Sequence, residues 1–91
     1  MNLAPNNAAP GLCVSEHEGG IVIFNPETGE FLTWNRTGAL IWRGLSAGLT
    51  ADEIATHISE MAGISLEQAK QDAARFIRDL ERRRVLLRRR S

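Results

Sequence analysis

The stretch FLTWNRTGALIW, Phe31 to Trp42, decides the fold. Three aromatic and three large aliphatic side chains crowd around a polar island, NRTG. Such a run is either one buried element or two elements joined at a tight corner. Asn35 and Thr37 favour the corner, because each offers a side-chain oxygen to the free amides of a following first helical turn. A short helix then carries Leu40, Ile41, Trp42 and Leu45 and ends in the glycine-containing segment Ser46 to Gly48. Phe31 to Trp34 become a strand feeding that helix, with Leu32 and Trp34 on one face and Phe31 and Thr33 on the other.

Upstream, Asn25-Pro26-Glu27-Thr28-Gly29 is a strong turn signal, since proline presets one dihedral and glycine accepts positive φ. It makes Ile21 to Phe24, an apolar run of strand-favouring residues, the partner strand of a hairpin. Before that, Leu12, Val14 and Glu16 alternate with Cys13, Ser15 and His17, as in a short strand that turns at Glu18-Gly19-Gly20. Downstream, Thr50-Ala51-Asp52-Glu53 reads as a capping box. Ile54, Ala55, Ile58, Met61 and Ala62 follow at helical spacing until Gly63. Ser65-Leu66-Glu67-Gln68 repeats the device. Leu66, Ala69, Ala73, Phe76, Ile77 and Leu80 then mark one face of a helix about five turns long. Val85-Leu86-Leu87 closes as a short extended segment. The order predicts an α+β fold: a small winged-helix-like domain in which a three-stranded antiparallel sheet is followed by three helices. The domain is expected over 11–87, after a flexible N-terminal arm (1–10) and before a basic tail (88–91).

A chain of 91 residues supports one modest core, burying roughly 60–65% of its unfolded surface, and rarely supplies the walls of a deep catalytic cleft. The lone Cys13 forms no internal disulfide, reads as a small core hydrophobe, and fits a reducing compartment. No secretory signal or apolar run of about 20 residues is visible. A cytoplasmic, soluble protein without membrane contact is the expectation. The zero net charge hides an asymmetry: residues 1–74 hold three basic and nine acidic side chains, whereas 75–91 hold eight arginines against Asp79 and Glu81.

No catalytic constellation emerges. His17 and His57 lack companions at metal-ligand spacing. The glycines form no phosphate loop. Asp52 and Glu53 sit where they favour a helix dipole. No cofactor and no enzymatic activity are expected. Three features could bind a partner. Phe31 to Trp34, with no proline or charge, could accept an added peptide strand unless a helix or the arm covers it. The last helix, small at Ala69 and Ala73 beside Phe76, could leave a shallow groove or simply pack closely on another helix. The arginine-rich end could meet nucleic acid or complement the last helix's negative end.

The run from Trp34, W-N-R-T-G-A-L-I-W-R-G-L-S-A-G-L-T-A-D-E-I, continuing with Asp72, Phe76, Ile77, Leu80 and the pair Leu86-Leu87, resembles the PqqD-like family of leader-peptide recognition domains. The resemblance spans Leu12 to Leu87. It implies that the leader of a ribosomally made precursor docks as an antiparallel strand along Phe31, Leu32, Thr33 and Trp34. Pockets would come from Ala69, Asp72, Ala73 and Phe76, and Leu32 and Trp34 would point into the core. It further implies a separate leader peptidase or other maturation enzyme as partner, the stand-alone lasso-peptide type being favoured. A pyrroloquinoline quinone pathway chaperone serving a radical enzyme is the near alternative. A small winged-helix DNA-binding regulator is the distant one, and nucleic acid is not the expected partner. Two positions depart from the family pattern: Ala47 replaces an aspartate, and a glycine before the final apolar pair is lost in Arg82-Arg83-Arg84. If that position is left-handed, arginine costs on the order of 1 kcal/mol relative to glycine.

Overall fold

The computed structural model describes Pro5 and residues 7–87. Strands β1 (Cys13–His17), β2 (Gly20–Asn25) and β3 (Glu30–Trp34) precede helices α1 (Arg36–Ser46), α2 (Ala51–Ala62) and α3 (Leu66–Arg82). The sheet is antiparallel in the order β1-β2-β3, so β1 and β3 are its edges. This is the expected α+β arrangement.

The sheet has a clear inside. Ile21, Ile23 and Leu32 are buried against the helices, with Val14 and Trp34 half-covered on the same face. Cys13 pairs with Phe24 on the other face and is exposed, which corrects its expected place in the core. Strand alternation is the reason: Val14 takes the inward position next to Cys13. The turn between β1 and β2 depends on Gly20, whose φ is +148° and whose missing Cβ would overlap the Trp34 carbonyl.

Each helix starts where the sequence places a cap. Asn35, rather than Thr37, caps α1, its side chain accepting from the Gly38 amide at 3.1 Å. Thr50 and Glu53 form both halves of the capping box, at 3.2 and 2.9 Å. Ser65 accepts from the Gln68 amide, but Gln68 turns its side chain to Asp72 instead of completing a second box. The apolar stripes are shorter than their periodicity suggests. Met61 is 60% and Leu66 44% exposed, whereas Ile54, Ala55 and Ile58 of α2 and Ala69, Ala73, Phe76 and Leu80 of α3 are buried. Helical period identifies a face but not where the packing layer ends.

Residues beyond α3 fold back on the start of the chain. Arg84 has φ +63°, a left-handed conformation inside the run Arg82-Arg83-Arg84 in which the expected glycine is lost. Val85 and Leu86, not Leu86 and Leu87, are the buried pair; Leu87 is half exposed. Ala8 bridges Leu86, with the Ala9 amide donating to Val85 at 2.8 Å and the Leu87 amide to Asn7 at 2.7 Å. The part of the expected arm from Asn7 to Ala9 is therefore paired; residues 1–4 and 6, and the tail 88–91, lie outside the described residues. Buried Asn25 ties the hairpin turn to this end of the molecule. Its Nδ2 donates to the Arg83 and Arg84 carbonyls at 3.4 and 3.3 Å, and its Oδ1 accepts from the Glu27 amide at 3.0 Å.

Candidate peptide-binding groove

The open edge of β3 is the centre of the site. Counting the alternation of the antiparallel ladder from the two-residue turn that closes on His17 and Gly20 makes Ser15–Val22 a bonded pair. Val22 then spends its backbone groups on β1, so its partner on the other side, Thr33, directs N–H and C=O away from the sheet. Phe31 does the same opposite Phe24. Two residues of the edge thus offer a donor and an acceptor each to an incoming strand.

Helix α3 runs beside this edge in the opposite direction. Its middle meets the end of β3 where the Phe76 and Trp34 rings pack edge to face, 4.8 Å apart. Its end meets the start of β3 through Arg83 and Glu30, 3.4 Å apart. An open groove of about 990 Å³ lies along the helix. One wall is Trp34, Asn35, Thr37, Gly38 and Ile41; the other includes Asp72, Arg75, Phe76, Asp79 and Arg82. Gly38 sets the width of its floor. A Cβ there would come within 2.5 Å of Trp34 Cβ and 2.9 Å of Phe76 Cε2.

The floor is apolar and the rim charged. Asp79 accepts from Arg82 at 2.6 Å and from Arg83 at 3.2 Å. Partial burial opposes its ionisation, but the hydrogen bonds and charges of the two arginines outweigh burial and hold the carboxyl below the usual aspartate range. Asp79 is therefore an ionised hub that, through Arg83, fastens the end of α3 to Glu30 on β3. Arg75 and Arg78 lie exposed on the α3 rim.

Of the residues expected at the site, Trp34, Asp72 and Phe76 line the groove together. Phe31 and Thr33 are exposed on the edge strand, and Leu32 is buried beneath it. Ala69 and Ala73 are buried in the core and do not line the groove. The rim residues Arg75, Asp79 and Arg82 went unread in the sequence, although they follow Asp72 at helical spacing and so share its face. Among the described residues, no group of His, Cys, Asp and Glu could hold a metal ion. None of the described helices is long and apolar enough to cross a membrane.

Residues 20–86 match the family model described as Coenzyme PQQ synthesis protein D (PqqD). No curated protein matches the sequence significantly. Among solved structures, TbiB1 in complex with the TbiA(beta) leader peptide is similar at 19% identity and a TM-score of 0.81, over 93% of this chain and 99% of that one. Lasso peptide synthetase B1 complexed with the leader peptide is similar at 23% identity and a TM-score of 0.80, over 89% of this chain and 95% of that one. At these identities the likeness is one of fold.

Proposed function

Because the chain belongs to the PqqD family, we propose that it captures the leader of a ribosomally made precursor peptide and presents it to a separate processing enzyme. PqqD-like domains are non-catalytic binding modules, so the chemistry falls to the partner. The observation that carries the proposal is the open β3 edge beside the groove along α3. The leader adds as an antiparallel strand along Phe31 to Trp34, held by the outward backbone groups of Phe31 and Thr33. Its groove-facing side chains meet Trp34 and Phe76 on the floor and Asp72 and Arg75 at the rim. Main-chain bonds give affinity that tolerates sequence variation, and the floor and rim give selectivity. Binding the leader raises the local concentration of the attached core peptide at the enzyme.

The two solved relatives carry leader peptides, one of them as a lasso peptide synthetase component, and this supports a lasso-type leader peptidase as the partner. The family's description supports the second reading, a peptide chaperone in the pyrroloquinoline quinone pathway, whose partner would be a radical enzyme.

A fluorescence-anisotropy titration tests the function itself. The probe is a labelled synthetic leader encoded by a short open reading frame beside the gene. We expect saturable binding in the micromolar range or tighter, little affected by moderate salt or by removal of Arg88 to Arg90. Absence of leader binding, together with steeply salt-dependent binding of a DNA duplex, would replace this function with nucleic-acid binding through the arginine-rich end.

A further inference from the structure

The outer face of the sheet carries an apolar row that stops at the open edge. Cys13, Phe24 and Phe31 are cross-strand neighbours on the face opposite the helices. The Phe24 and Phe31 rings lie 4.7 Å apart and are tilted by 40°. Phe24 is half-buried, but Phe31 is 71% exposed, more than any other large apolar side chain among the described residues. Phe24 covers one side of the Phe31 ring. On the other side the sheet ends.

Directly opposed residues of an antiparallel pair share a face, with Cβ atoms about 5 Å apart. A strand added to β3 therefore divides its side chains between two environments. Those opposite Leu32 and Trp34 turn towards the groove. The one opposite Phe31 turns to the outer face and lands against the exposed ring, fixed there by the backbone bonds that Phe31 directs outward. The neighbouring outer row is Ser15, Val22 and Thr33, so neither row offers a charge to a polar visitor.

We propose that the protein reads its peptide from both sides of the sheet, Phe31 backed by Phe24 forming an outer subsite for an aromatic or large aliphatic residue of the bound strand. This rests on the strand-addition reading above. The occupant is a side chain of that strand rather than a separate protein surface, because the row is one residue wide and meets the edge where backbone pairing would continue it. The peptide thus carries apolar side chains an odd number of positions apart, one for the groove and one for the outer row.

A double-mutant cycle between the protein and the synthetic leader decides the matter. Phe31→Ser is expected to weaken binding roughly three- to tenfold, and Phe31→Leu to restore most of it. An alanine scan of the leader should find a single position whose effect vanishes in Phe31→Ser, while its two immediate neighbours remain additive with Phe31. Replacing the coupled leader residue by aspartate should weaken binding to the unaltered protein, a readout that does not depend on the variant folding. Leader binding by the unaltered protein that is indifferent to Phe31→Ser overturns the outer subsite and leaves the proposed function standing. A uniform loss at every leader position also overturns it, as general damage to the strand, and a loss confined to the processing enzyme assigns the row to that enzyme instead. If the unaltered protein binds no leader, both proposals fall.

Discussion

The two edges of the sheet face opposite demands. β1 carries Glu16 and His17 on its exposed length, and Glu16 is held by Arg43 of α1 at 2.7 Å. Charge and polarity of this kind discourage pairing with another chain. β3 has a single charge, Glu30 at its first position, and Arg83 holds it towards α3. From Phe31 to Trp34 the strand is uncharged, and a helix stands beside it to shape what may dock. An unprotected edge is a hazard unless something selective guards it. On the proposed reading the guard is α3 and its charged rim, with β3 as the receptor edge and β1 as the closed one.

The contrast breaks most completely at Gly38. Valine there must push Trp34 and Phe76 apart, and we expect Gly38→Val to lose about 1–3 kcal/mol of stability in urea unfolding together with leader binding. Next in size is a pair of prolines, one on each edge at a residue whose amide points away from β2. Thr33→Pro should cost leader affinity roughly tenfold, the loss of a main-chain bond plus local misfit, whereas Glu16→Pro should leave affinity unchanged. Circular dichroism on both variants separates a lost contact from a lost fold. Equal affinity in the two would mean that β3 is not the docking edge. The smallest change strengthens the helix that guards β3. Arg84→Gly relieves the left-handed strain that terminates α3, with an expected gain of up to about 1 kcal/mol and a rise in melting temperature of about 4–8 °C per kcal/mol.

Local chemistry was legible in the sequence, and long-range placement was less so. The NRTG corner, the Thr50 capping box and the stop at Gly63 depend on residues within a few positions of one another, and each appears where its chemistry puts it. A left-handed residue within Arg82-Arg83-Arg84 was readable as a missing glycine, but which of the three adopts it, Arg84, was not. The environment of Cys13 was not, because it depends on which face of β1 the helices cover. The stripes containing Met61 and Leu66 were drawn too long for a related reason: period carries no information about where the facing layer stops. Asn25 read as a turn former, which it is. Nothing local signals that its amide also reaches the carbonyls of Arg83 and Arg84, more than fifty positions away. At the candidate site, Trp34 came from the uncharged edge strand and Phe76 from the small-residue face of the last helix, and the family resemblance added Asp72. The flanking arginines had only their helical spacing to betray them.

The pairing of Asn7 to Ala9 with Val85 to Leu87 has a mechanical consequence. The two segments run antiparallel, so the chain leaves the bridge in the same direction at both ends, from Asn7 and from Leu87. Tension applied between those ends loads the bonds one after another, peeling them like a zip instead of shearing them together. The first structure to give way under a pull is this short ladder. α3, which ends three residues before Val85, is loaded next, and β3, on which capture is proposed to depend, lies deeper in the chain.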